Sequence, residues 1–480
     1  MRRLALALFF ALLACPSPAQ PPNEGFADLA ESALPAVVNI STTRGPQAVE
    51  VGPGVPGFPH GTPFDEFFEE FMGPRGLISP PVGPATSLGS GFVVDAEQGY
   101  VVTNAHVVRD ADEIRVTFHD DTTVEAQVVG ADDKTDIAVL KVPSEDKALQ
   151  ALAFGDSRTM RVGDWVLAIG NPFGLGGSVT AGIISARARD VGVGPYDDFL
   201  QTDAAINRGN SGGPVLSMDG QVVGVSTAIF SPSGGSIGIG FATPAEIAAP
   251  VVQQLLDYGH TRRGWIGVKV QSVDADMAAS FGLDSARGAL VAEVTPGGPA
   301  EAAGLKQGDI IVSFGGQAVG AMRDLPRMVA GAQIGAEATV VYWRDGAQYA
   351  AQVTLAELEK AEASGLLAER PTAAGLPEGG SAVLADLGVT VADITPTLRA
   401  RYSLPEGLGG VVVTALDPAR PLLATVLAEG DVVVEIARTP VTTAAQAASL
   451  VADARQAAPG APVLLLISRQ GAARFVMVRP

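Results

Sequence analysis

A mainly β chain in about three parts is predicted by three observations. Short apolar runs separated by turn signals fill residues 90–241, glycine is abundant at 57 of 480 residues, and a segment opening at Gly288 recurs at an offset of 122 residues. The runs "GFVVD", "YVVTNA", "EIRVTF", "TVEAQVVG", "IAVLKV", "WVLAIG" and "QVVGVSTAIF" each have the length of a strand. The turn residues between them end each run before a helix could develop, so the region reads as a sandwich or barrel.

Composition narrows the function classes. Apolar residues make up 47% and charged residues 18%, and no apolar run after the N-terminus reaches the ~20 residues of a membrane span. The net charge of −20 disfavours a phosphate-binding surface and hence nucleic acid as a partner. Arg2 and Arg3, the apolar run Leu4–Ala14, and the small residues Ser17 and Ala19 follow the plan of a secretory signal peptide over residues 1–19, so export is expected. "LLAC" also resembles a lipobox, and membrane association is expected only if Cys15 is acylated. Cys15 is the single cysteine; an exported chain without disulfides fits the bacterial periplasm, and no zinc-type spacing calls for a structural metal.

Residues 44–86 are crowded with Gly and Pro and read as a long loop, within which "FDEFFEEFM" could form a short amphipathic helix. The β region, residues 25–259 with that loop, ends at "TPAEIAAPVVQQLLDYGH", where Thr243 and Glu246 spell a capping box, Pro244 takes the first helical position, and Gly259 supplies the stop. In the repeat Val291 meets Val413, Pro296 meets Pro418 and Asp309 meets Asp431. Each copy reads as strand, short helix, and a Gly-Asp turn opening another strand. The copies are assigned to residues 262–356 and 381–480, with 357–380 as linker. Two copies are too few for a solenoid.

"GNSGGP", Gly209–Pro214, raises the question of chemistry. Alone, a serine among glycines is more often one polar residue in a turn. His106 after "YVVTNA" could be a structural histidine, and Asp136 before "IAVLKV" could merely end a strand. Together the order His106, Asp136, Ser211 over a β-rich domain is that of the chymotrypsin-like arrangement, with Ser211 as nucleophile, His106 as base and Asp136 as orienting acid. Backbone N–H groups of Gly209, Asn210 and Ser211 are the candidate oxyanion donors. Gly209, Ser211 and Gly213 also satisfy the G-x-S-x-G elbow of α/β hydrolases, but that needs a helix after the serine, and Asp219-Gly220 predicts a hairpin there.

"TNAHVV", "TDIAVLKV" and "GNSGGPVL", followed by two repeats, resemble the HtrA serine proteases, specifically the periplasmic Do-like branch with two PDZ domains. The resemblance implies a chymotrypsin-like double six-stranded β-barrel followed by two PDZ domains, an ATP-independent endopeptidase acting on unfolded proteins without a cofactor, chaperone activity beside it, and a trimer or multiples of one. It also implies that the 44–86 loop is regulatory. A PDZ module adds a peptide as a strand and holds its C-terminal carboxylate in backbone N–H groups, here at Gly264, Trp265, Ile266 and Gly267. The second copy, "LADLGV", lacks the first glycine, which puts its peptide binding in question. Ala205 stands where trypsin-like relatives place an acid, and with Ile206, Ile237 and Ile239 it predicts an apolar specificity pocket. The rival class is a binding protein whose barrel holds unfolded chains; an intact triad favours the enzyme.

Overall fold

The structure, a computed structural model, describes residues 25–44, 85–145, 148–171, 177–189, 196, 198–207, 209–229, 236–366 and 379–479. The expected signal peptide, Cys15, "FDEFFEEFM" and most of the 44–86 loop lie outside these residues. The chain divides into two units after Thr261.

In the first unit, α1 (Ala27–Ala33) precedes β1 (Val37–Arg44), β2 (Ala85–Asp95), β3 (Tyr100–Thr103), the one-turn helix α2 (Ala105–Val108), β4 (Glu113–Thr117), β5 (Thr123–Glu125), β6 (Gln127–Asp132) and β7 (Ile137–Lys141). These strands form an antiparallel sheet in the order β5-β4-β1-β2-β3-β7-β6. One sequence run, Thr123–Asp132, supplies both ends of it: β5 pairs with β4 and β6 with β7. The break falls at Ala126, whose N–H turns to Ile114 O (2.9 Å), so a single bent strand draws the two edges together.

The second half, β8 (Trp165–Gly170), β9 (Ser178–Arg189), β10 (Phe199–Thr202), β11 (Pro214–Ser217), β12 (Val222–Ile229) and β13 (Gly240–Pro244), closes into a barrel in the order β10-β13-β12-β11-β8-β9. Val38, Ile40, Val93, Val116 and Leu140 fill the first half, and Val166, Ile184, Leu200, Ile206 and Val215 the second. Phe92, Ile137, Leu167 and Leu216 pack between the halves together with Val251 and Leu255 of α3 (Ala245–Tyr258). That helix starts differently from the sequence pattern. Pro244 is the cap, Thr243 remains in β13 with its hydroxyl on Thr227 Oγ1 (2.9 Å), and the Glu246 N–H donates to Ser157 Oγ (3.0 Å). Gly259 ends it at φ 74°, as the stop signal implies.

The second unit holds the repeat. The first copy comprises β14 (Gly264–Trp265), β15 (Val268–Ser272), α4 (Ala275–Ser280), β16 (Ala289–Val294), α5 (Pro299–Ala302), β17 (Ile310–Phe314), β18 (Gln317–Ala318), α6 (Asp324–Ala330), β19 (Glu337–Arg344), β20 (Ala347–Thr354), β21 (Ala356–Glu357) and α7 (Leu358–Ala363). The second comprises β22 (Ser381–Leu384), β23 (Val389–Asp393), α8 (Pro396–Arg401), β24 (Val411–Leu416), β25 (Val432–Ile436), β26 (Thr439–Pro440), α9 (Ala444–Ala457), β27 (Val463–Arg469) and β28 (Ala472–Val478).

One hydrogen-bond frame recurs in both copies. Buried Asp309 receives Arg344 through two bonds (2.6 and 2.7 Å) and the Lys306 N–H (2.7 Å). Buried Asp431 receives Arg469 (2.8 and 2.7 Å) and the Ala428 N–H (2.8 Å). The expected linker begins too early: β21 pairs with β14, and Leu358 and Ala361 of α7 are buried, so residues 357–363 belong to the first copy. Its apolar positions and the Arg262–Glu357 and Arg263–Glu359 ion pairs hold that tail in place.

Candidate active site

Asp136 is built for reaching backward. It opens β7 at φ 57°, a left-handed conformation that Asp tolerates better than most residues. Its carboxylate thereby meets α2 twice: Oδ1 accepts the His106 N–H (2.9 Å) and Oδ2 meets His106 Nδ1 (2.6 Å). Its carbonyl accepts the Asn104 side-chain amide (2.8 Å) and the Ala105 N–H (3.2 Å). Helix α2 is thus pinned to the start of β7 by four bonds, and the imidazole is fixed in position and orientation. A carboxylate only accepts, so Nδ1 carries the proton and Nε2 presents its lone pair. Side-chain exposures of 5% for His106 and 18% for Asp136 keep water from competing.

Ser211 lies on a glycine turn packed against Ser90 and the end of β3. Gly209 and Gly212 have φ values of 97° and 86°, which side-chain-bearing residues rarely adopt. The Gly212 N–H donates to Ser226 O (2.8 Å), the Gly213 N–H to Asn210 O (2.9 Å), and Ser211 O accepts the Ser90 N–H (2.8 Å). A Cβ on Gly212 would lie 2.2 Å from Ser90 O and 2.3 Å from Thr103 Oγ1; one on Gly213 would lie 2.2 Å from Ile169 O. The missing side chains let the serine turn press against the end of β3, which leads into α2. Gly89 lies between Val107 and Ser211 O. Ser90 ties the turn further, donating from its hydroxyl to Gly209 O (2.5 Å) while accepting the Asn171 N–H (2.8 Å). Ser90, Asn104 and the Gly89 gap are not singled out as site residues by the sequence, although Asn104 lies inside the recognised "TNAHVV" and Gly89 and Ser90 open "GSGF".

Other expected site residues fall less evenly. The Asn210 N–H donates to Asn207 O (3.0 Å), which removes it from the candidate oxyanion donors. Ile206 is 1% exposed in the barrel core against Gly240. Ile237 is half exposed, Ile239 partly buried, and Ala205 gives its carbonyl to Thr180 Oγ1 (2.9 Å). In the first repeat Ile266 is core, Gly264 lies where a Cβ would meet Val329 O at 2.2 Å, and Trp265 packs over Gly267 and Gly298. Ile266 O accepts the Ala300 N–H (2.7 Å) and Gly267 O the Thr295 N–H (2.9 Å). Across a trans peptide the N–H points opposite its carbonyl, so the N–H groups of Gly267 and Val268 face away from those partners.

A closed β-barrel packed on a second antiparallel sheet, the His106–Asp136 contact and the glycine turn of Ser211 against β3 are features of a trypsin-like serine peptidase carrying an appended module. Residues 89–225 match the trypsin-like peptidase domain family and residues 264–355 the PDZ domain family. The chain is 42% identical over 481 residues to a probable periplasmic serine endoprotease DegP-like of Brucella suis biovar 1 (strain 1330), covering 95% of this chain and 90% of that one. It is 41% identical over 461 residues to a protein of that name in Ectopseudomonas mendocina (strain ymp), covering 94% and 93%. Among solved structures it resembles the HtrA-type protease AlgW with decapeptide at 38% identity and TM-score 0.57, covering 69% of this chain and 98% of that one. The chain belongs to the HtrA/DegP-like periplasmic serine endoproteases.

Proposed function

We propose that Ser211 attacks the scissile carbonyl, His106 Nε2 takes its proton and returns it to the leaving amine, and Asp136 holds the imidazole and stabilises the imidazolium. The N–H groups of Gly209 and Ser211 stabilise the oxyanion. The observation that carries this reading is the double contact of Asp136 with His106, 2.6 Å at Nδ1 and 2.9 Å at the backbone N–H, beside a glycine turn that seats Ser211 against β3.

The substrates are unfolded proteins of the periplasm, cut without cofactor and held by a trimer or multiples of it, with chaperone activity beside cleavage. The first module binds peptide C-termini at the loop Gly264–Gly267 through the outward N–H groups of Gly267 and Val268, and residues 381–480 form a second PDZ module. With Ala205 and partly buried Ile239 at an apolar pocket, a basic side chain enters unpaired, so cuts are biased, without being strict, toward Val, Ala or Ile on the acyl side. Ser211→Ala is expected to lower turnover of a denatured protein by on the order of 10⁴ or more while leaving binding intact. Mass spectrometry of the fragments reads activity and specificity together; substantial cleavage by Ser211→Ala, or a map dominated by cuts after Lys and Arg, would overturn the respective assignment.

A further inference from the structure

We infer that the second repeat contains a strand-binding cleft already filled by the chain's own β22, and that its foreign ligand is an extended peptide ending in Leu with a small residue two positions earlier. The inference rests on reading residues 381–480 as a second peptide-binding module.

In the first repeat β15 is the end strand of its sheet, with only β16 beside it, because the residues before it turn away to pair as β14 with β21. The second repeat has the same loop. Gly388 (φ 69°) matches Gly267 (φ 81°), buried Leu387 matches Ile266, and Gly388 O accepts the Asp417 N–H (2.8 Å) as Gly267 O accepts that of Thr295 (2.9 Å). Yet β23, the counterpart of β15, has neighbours on both edges: β24 on one and β22 on the other.

Strand β22 occupies its place as a ligand would. It runs antiparallel to β23, from Ser381 opposite Ala392 to Leu384 opposite Val389. Leu384 is 3% exposed and Ala382 partly buried in a cluster with Val391 and with Ala444, Ala447 and Val451 of α9, whereas Val383 between them is 69% exposed. Alternate side chains thus enter the cleft between strand and helix, the pattern of recognition by strand addition. The N–H of Gly388, the match of Gly267, is also taken: it donates to Ala385 O (3.2 Å), beside the Leu387 N–H on Leu384 O (2.9 Å). Asp393 fastens the other end. Its Oδ2 accepts the Gly380 N–H (2.6 Å), its own N–H donates to Gly380 O (2.8 Å), and its Oδ1 accepts the Ala444 N–H at the start of α9 (2.6 Å).

The test uses the full chain carrying Ser211→Ala and a fluorescent hexapeptide, GGSAVL, copied from Gly379–Leu384 with a free carboxylate. Val383→Cys with Thr390→Cys on the exposed face of the hairpin, in a Cys15→Ser background, creates a disulfide lock across a directly opposed pair. The disulfide is expected to form readily, and the locked and native chains to bind the same amount of peptide. Leu384→Glu, or the milder Asp393→Asn, is expected to release β22, seen as faster hydrogen exchange at residues 381–384, and to add one bound peptide per chain. Val451→Arg in α9 should abolish that addition. Failure of the lock to form, or extra peptide bound by the native chain and lost on locking, would overturn the occupied cleft. Released β22 without added peptide would instead overturn the reading of residues 381–480 as a peptide-binding module.

Discussion

At the scale of single residues, the site depends on which atom of Asp136 does what. Both carboxylate oxygens accept from His106, one from the ring and one from the backbone, so the ring is held in one tautomer as well as one place. Asp136→Asn conserves shape but offers an amide that can donate toward Nδ1, which drives the ring proton to Nε2 and removes the proposed base. Turnover is expected to fall by roughly 10⁴ with little change in KM, measured on a short peptide substrate. Equal loss in KM would mean that Asp136 shapes the substrate site instead. Gly212 tests position without touching the chemistry. Its φ of 86° and the 2.2 Å approach to Ser90 O leave no room for a Cβ, so Gly212→Ala should displace the serine turn, cutting turnover on the order of 10²-fold while the barrels stay folded by circular dichroism.

At the scale of elements, legibility follows the range of the interaction that decides each feature. The strands of the barrels, the Asp219-Gly220 hairpin and the Gly259 helix stop are set by neighbours within a few residues, and the sequence reveals them. The repeat is legible because Asp309 and Asp431 keep their turns, but their partners Arg344 and Arg469, 35 and 38 residues downstream, are not. The capping box fails for the same reason: Thr243 is claimed by Thr227 of the neighbouring strand, which no local pattern reveals. The burial of Ile206 is likewise set by barrel closure, which its place before the serine does not reveal.

The tail of the first repeat carries a pH consequence. Arg262, and after it Lys360, hydrogen-bond Glu357 and hold its carboxyl below the usual range. An unfolded glutamate titrates near ~4.3, so this contribution is complete above that value and is lost as pH falls through the lower folded value. The β14·β21 pairing should therefore loosen in acid below about pH 4, and Glu357→Gln should show weaker protection already at neutral pH, read by hydrogen exchange at residues 264–265 and 356–357.

At the scale of the whole second unit, the two repeats share a core. Met277 of α4, Phe281 just after it, and Leu290 and Ile310 of the first repeat pack with Leu464, Leu466 and Phe475 of the second, and Phe281 meets Phe475 edge-on at 5.8 Å between centroids. Polar contacts frame that core. The Gln271 amide donates to Phe475 O (3.0 Å) and accepts the Phe475 N–H (2.7 Å), so a side chain satisfies one peptide group pair on β28, while Arg438 reaches Asp345 (2.5 Å) and Arg479 reaches Asp276 (2.6 Å). The ion pairs are exposed and contribute little each, so the apolar cluster decides the coupling. Removing a buried phenylalanine costs about 3–5 kcal/mol. Phe475→Ala should therefore destabilise the first repeat as well as the second, accelerating hydrogen exchange in β16 and β19 along with β27 and β28. Faster exchange confined to the second repeat would show two independently stable modules and would sink the shared core.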